Sequence, residues 1–396
     1  MSVKLKQLKS ELSTELDNIL KYWSKKTIDT KNGGFIGEIN NQDIIIDNAD
    51  KGSVLNARIL WTFSSSYQIT QKEAHKKIAK RAFEYLSEYF YDSEYGGLFW
   101  SINYDTTPKD TKNQIYALAF AIYGLSEYYA ISKDDKALEI AINLYLEIQK
   151  HSYDPINKGY YEAFTRDWKS IADLRLSDKD ANEKKTMNTH LHIVEAYANL
   201  FKVWKDKTLQ SDIIELLETI ETHFINTETG HLRLFFDENW KEKPDVISYG
   251  HDIEAAWLLL QCAKIAENEN LIARYKKYAV LLTDATFEGI DSDGGLWYEY
   301  DPETNELIAE KHWWPQAELL IGFFNTYEIT EEEKYLNVVY KNWGFIKKYI
   351  LDSKNGEWHW GIHKDYSLIE KDKAGFWKCP YHNGRACIEL INRIKS

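Results

Sequence analysis

The chain has 396 residues, 44% of them apolar, and 62 acidic against 49 basic side chains give a net charge of −13. An acidic balance without a basic block excludes a nucleic-acid surface, and no apolar run approaches the roughly 20 residues that span a bilayer. Cys262, Cys379 and Cys387 form no CxxC pair and read as reduced thiols of a cytoplasmic protein.

The first stretch, MSVKLKQLKSELSTELDNILKYW, reads as an amphipathic helix without the apolar core of a signal peptide. A glycine turn followed by a short aromatic stretch comes next, NGGF at 32–35. The same mark returns as YGGLFW (95–100), NKGYYEAF (157–164), TGHLRLFF (229–236), DGGLWYEY (293–300) and NGEWHW (355–360). Each predicts a tight turn with a small strand or hairpin. Steps between Gly33, Gly96, Gly159, Gly230, Gly294 and Gly356 are 63, 63, 71, 64 and 62 residues, the period of an internal repeat.

Between marks lie two helical patterns. The first of each pair, such as QIYALAFAIYGLSEYYAI, is apolar nearly all round and belongs inside; the second, such as DDKALEIAINLYLEIQKH, has one charged face and belongs outside. The N-terminal helix and YHNGRACIELINRI complete a sixth pair. Only 6 prolines agree with a helical chain. The expectation is an all-α fold, an (α/α)6 barrel of twelve helices in two concentric rings, forming one domain over residues 1–396. The longest step holds a charged insertion, 166–186, which reads as a surface loop and a candidate lid over the barrel mouth.

Parallel inner helices bring their N-terminal ends to one mouth, where positive helix ends favour anionic species. The polar residues at those starts are Arg58, Tyr116, Asn188 with His192, His251 with Glu254, Trp314 with Glu318, and His382. His251 and Glu254 are three apart and share a helical face, so Glu254 is expected to orient and tune His251. Ser248 reads as the cap of that helix. His190 reads as structural, and His312, His359 and His363 as loop residues without a role.

HExxH, GxGxxG, the P-loop and the GxSxG elbow are all absent, which points away from metal, nucleotide and serine chemistry. Glycoside hydrolysis stays open, because Glu254 and Glu318 could supply its two carboxylates. Several histidines and an arginine suit proton abstraction beside a carbonyl, with Arg58 stabilising the enediolate oxygen.

The stretches NARILWTF, KNQIYALAFA, MNTHLH, YGHDIEAAWLL, WWPQAE and WKCPYHNGRACIE, in this order, resemble the N-acylglucosamine 2-epimerase superfamily over the full length. The likeness is strongest to its branch acting on β-1,4-linked disaccharides such as cellobiose and lactose. It implies a monomeric barrel that works without metal, nucleotide or other cofactor and epimerises the reducing-end glucose at C2. It also implies that His251 and His382 are the general acid/base pair, with Arg58 and His192 at the O1/O2 oxygens. Tyr116, Asn188, Trp314, Glu318 and Trp377 match sugar-contacting positions. Trp257 fits either a sugar contact or the core. A monosaccharide epimerase or isomerase of the same superfamily is the nearest alternative.

Overall fold

The computed structural model describes residues 3–244 and 246–395. The sixth inner–outer pair joins the two ends of the chain: α1 (Val3–Lys26) lies outside α12 (Tyr381–Arg393). The other inner helices are α2 (Ser53–Thr70), α4 (Ile115–Ser132), α6 (Met187–Val203), α8 (Tyr249–Ile265) and α10 (Trp313–Thr330). Their outer partners are α3 (Glu73–Tyr85), α5 (Asp135–His151), α7 (Lys207–His223), α9 (Glu269–Thr286) and α11 (Glu333–Phe345). Each inner helix touches the next, and α12 returns to α2, so the inner ring closes as the periodicity predicts. The inner helix α2 is buried continuously from Ser53 to Ser66, whereas outer α3 buries only His75, Ala79, Ala82, Phe83 and Tyr85 along one stripe.

Every predicted mark is a turn closed by a single antiparallel bridge: Ile28 with Phe35, Tyr91 with Leu98, Tyr153 with Tyr160, Ile225 with Leu232, Ile290 with Leu296 and Leu351 with Trp358. The six marker glycines all have positive φ, between 75° and 91°, a region costly for any side chain. Buried lysines pin several turns, with Lys51 on Asp29 and Lys185 on Asp154, both at 2.8 Å, and Lys311 on Asp291 at 2.6 Å.

The aromatic stretch after each turn sets the helix starts. Ala163–Phe164 pairs with Asn113–Gln114 just before α4, Phe235–Phe236 with Lys185–Thr186 before α6, and Tyr300–Glu299 with Ile247–Ser248 before α8. Ile39 bridges Ala374 ahead of α12, which joins the first repeat to the sixth. These pairings tie the start of each of these inner helices to a neighbouring repeat.

The insertion is anchored along its first half, not free. Arg166 bonds both carboxylate oxygens of Asp92, Trp168 stacks on His151 at 4.4 Å, and buried Leu174 accepts from Gln114 Nε2. Farther on, Lys179 reaches 6.0 Å from the Tyr298 ring, so the loop runs from the start of α4 to the neighbourhood of α10.

Candidate active site

The inner-helix starts converge as expected. Arg58 on α2 donates from Nη2 to Tyr116 Oη on α4 (2.7 Å), and the Tyr116 ring meets His192 on α6 edge-on at 5.1 Å. Across the mouth, the Trp314 indole on α10 lies 4.8 Å from the His251 ring on α8 and 5.6 Å from His382 on α12. Trp377, in the loop before α12, is 6.1 Å from Tyr116 and 5.8 Å from Trp100. His251, Trp314, Trp377 and Asn188 keep partial exposure, while Arg58, His192 and His382 are buried behind them. Asn188 Oδ1 and Arg58 Nε are buried polar atoms without a protein partner, so the site holds unspent hydrogen-bonding capacity.

Each histidine has its Nδ1 engaged. His251 Nδ1 meets Ser248 Oγ at 2.8 Å, His382 Nδ1 meets Glu318 Oε1 at 2.6 Å, and His192 Nδ1 meets Glu195 Oε2 at 2.8 Å. A neutral imidazole that donates from Nδ1 presents Nε2 as a free base. Burial lowers His251 to about 4, against the opposing pull of Glu254, and pushes His382 well below its ordinary value. Burial thus favours the neutral form of both rings, and the charge of Glu254 opposes it at both.

Three sequence expectations need correction. Glu254 does not hydrogen-bond His251; Ser248 holds that ring, and its hydroxyl is thereby diverted from capping α8. Glu254 is instead bonded by Arg385 Nη2 and acts on His251 through its charge. Glu318, expected against the sugar, is fully buried, accepting from His382 and Arg385 on Oε1 and from Trp257 Nε1 on Oε2 (3.0 Å). Trp257 is likewise buried, so it supports the site from below and does not line it. His190 is structural as expected: its Nε2 accepts the Tyr160 N–H at 2.8 Å, and burial lowers it to about 3.

Sequence reasoning missed Arg385, Glu195 and Tyr381. The signals were present: His192–Glu195 repeats the His-x-x-Glu spacing of His251–Glu254, and Arg385 follows His382 by three residues. Arg385 Nη1 donates to Glu195 Oε1 (2.7 Å), which also accepts from Tyr381 Oη (2.7 Å). Burial works to raise Glu195, but Arg385 and His192 together hold it down at about 2.

Oxygens of Glu254 and Glu318 and a nitrogen of His382 lie within 4.8 Å of one another, a set able to hold a metal ion. Arg385 Nη2 bonds both carboxylates, so a guanidinium already supplies the positive charge there. A separate cleft of about 430 Å³ between α1 and the sixth turn is lined by lysines such as Lys21 and Lys354 and contains none of the predicted site residues. Among the described residues, no helix is long and apolar enough to cross a membrane.

The family model described as N-acylglucosamine 2-epimerase (GlcNAc 2-epimerase) matches residues 34–386. The chain is 48% identical over 386 residues to a cellobiose 2-epimerase of Bacteroides fragilis, covering 97% of this chain and 98% of that one. It is 35% identical over 393 residues to a cellobiose 2-epimerase of Dictyoglomus turgidum, covering 98% and 100%. The solved cellobiose 2-epimerase of Bacillus thermoamylovorans superposes with a TM-score of 0.93 at 35% identity, covering 98% of this chain and all of that one. This chain belongs to the N-acylglucosamine 2-epimerase family.

Proposed function

We propose that the protein interconverts glucose and mannose configurations at C2 of the reducing-end residue of β-1,4-linked disaccharides, cellobiose and lactose among them. The observation that carries the reading is the pair His251 and His382. Both rings flank the Trp314 indole, and both are held by Nδ1 so that Nε2 is free. After ring opening, one imidazole Nε2 takes the C2 proton of the aldose. The C–H electrons become the C1–C2 double bond, and the carbonyl oxygen becomes an enediolate oxygen that the Arg58 guanidinium stabilises. Rotation about C2–C3 turns the other face, and the second ring, which enters the cycle as an imidazolium, delivers its Nε2 proton to C2 as the C1 carbonyl reforms. His192 assists at the same oxygens, and Tyr116, Asn188, Trp314 and Trp377 contact the sugar. Trp257, Glu318 and Glu254 act from behind. One proton leaves and one returns with no net oxidation, so the chemistry calls for no redox cofactor.

Relatives named for cellobiose support the disaccharide over a monosaccharide. So does the aromatic surface beyond the histidines, where Trp100, Phe376 and Trp377 pack together at 4.8 to 5.8 Å. Hydrolysis is disfavoured: Glu254 and Glu318 share one arginine nitrogen, which leaves no room for a sugar between two opposed carboxylates. A monomer in the cytoplasm fits a mouth built wholly from one chain and three buried free cysteines.

The test is cellobiose in D2O followed by NMR. Deuterium at C2 with a mannose-configured product is expected, and free glucose or absence of exchange refutes the reading. His382→Ala should lower the rate by about 10²–10⁴-fold, the usual share of a positioned acid/base group.

A further inference from the structure

The Arg385 guanidinium donates four hydrogen bonds beneath the mouth. It is fully buried, with its plane 4.8 Å from the Trp257 ring and 4.2 Å from Tyr381. Nη1 donates to Glu195 on α6, and to Tyr381; Nη2 donates to Glu254 on α8 and Glu318 on α10. Each carboxylate serves a histidine. Glu195 holds His192 and Glu318 holds His382, while the charge of Glu254 favours protonation of both His251 and His382.

We propose that Arg385 is a positioning residue that sets, through Glu195, Glu254 and Glu318 together, the ring orientation of His192 and His382 and the proton inventory of His251 and His382. The proposal rests on reading the site as a C2 epimerase.

The charge count gives it content. Three buried carboxylates face two guanidiniums, Arg385 and Arg58, the latter 4.9 Å from the Tyr381 ring and within the field of Glu254. Three donors converge on Glu318: burial raises its carboxyl, and Arg385 and Trp257 pull it back toward the ionised form. The remaining facing groups stay neutral: burial raises the Tyr116 and Tyr123 phenols on α4, Tyr381 on α12, and the Cys379 and Cys262 thiols. With its three carboxylates ionised against the two guanidiniums, the cluster has one negative charge in excess, which a single imidazolium cancels. One protonated and one free imidazole is what two-base epimerisation requires, and it works in both directions. Without the Arg385 charge, a second proton enters and the free base is lost until the pH is higher.

The experiment uses the full chain and its Arg385→Lys and Arg385→Gln variants, with C2 exchange on cellobiose measured against pH. For Arg385→Gln, kcat should fall by about 10²-fold with KM changed less than about threefold. Its acid limb should move up by about one pH unit or more. Arg385→Lys should restore the limb but not the full rate, because an ammonium cannot fork between carboxylates. A wild-type pH profile in Arg385→Gln, or an effect confined to KM, overturns the proposal. If circular dichroism shows that neither variant folds, 15N spectra of wild-type imidazoles decide. A proton on Nδ1 of both His192 and His382 is expected, and a ring protonated on Nε2 alone overturns it. A wild type that exchanges no sugar proton would instead strike the epimerase reading, with the tautomer result still judging Arg385.

Discussion

Glu318→Gln removes one charge and almost no volume, and the structure predicts two separable losses. Glu318 accepts three hydrogen bonds: from His382 Nδ1 at 2.6 Å, Arg385 Nη2 at 2.7 Å and Trp257 Nε1 at 3.0 Å. The amide keeps one acceptor oxygen, which can serve the Oε1 position for His382 and Arg385. Its NH2 then points at the Trp257 N–H, donor against donor, and Arg385 loses one of its counter-charges. Losing one buried bond and weakening a buried ion pair costs about 2–4 kcal/mol of stability. The rate should fall separately, because a neutral amide oxygen accepts from His382 Nδ1 more weakly than a carboxylate and lends less basicity to Nε2. A loss of about 10²-fold in kcat, about 2.7 kcal/mol of barrier, is expected, with KM little changed. Thermal unfolding reads the first effect and C2 deuterium exchange on cellobiose the second. A folded variant whose kcat stays within about threefold of wild type would refute the assignment of Glu318 as the group that orients His382.

Ser248→Ala frees Nδ1 of His251 and should slow exchange about tenfold, the equivalent of one lost hydrogen bond of about 1–1.5 kcal/mol, with stability nearly unchanged; steady-state kinetics decide. Glu162 is buried on Thr186 N and Thr189 Oγ1, and burial raises it to about 8. A raised carboxyl binds more protons folded than unfolded, so its contribution is full at low pH and drains away between the unfolded value near 4.5 and about 8. Glu162→Gln, which keeps the protonated shape, should therefore gain on wild type by about 1.4 kcal/mol per pH unit across that window; parallel denaturation curves at pH 5 and 8 would contradict this. Gly159→Ala should destabilise by about 1–3 kcal/mol, since φ is +77° and a Cβ would lie 2.6 Å from the Trp240 ring and 2.8 Å from His190 Nε2; chemical denaturation measures it.

Much of the site was legible because repeats are a local signal. The same turn chemistry recurs at a near-constant interval, and the residues at each helix start can be compared by phase alone. Arg58, Tyr116, His192, His251, Trp314 and His382 were found that way. Glu318 was misplaced, and Trp257 left open between sugar and core, because helical spacing gives a face but not a depth. Both stand on the inner surface of their helices, one turn or so beyond the mouth, where the packed ring has already closed over them.

The ring could be read from local pattern alone: six pairs of helices, buried and amphipathic in alternation, and a common end for their polar starts. Those properties follow from hydrophobic period and turn residues within each repeat, so no distant contact is needed to read them. Which group serves which depends on contacts between distant repeats. Glu254 sits three residues from His251 yet bonds Arg385, 131 positions away, and His382 takes its carboxylate from Glu318, 64 positions away. Ring closure brings α6, α8, α10 and α12 side by side. Four buried charges in one small volume then pair to minimise their desolvation, whatever their order along the chain.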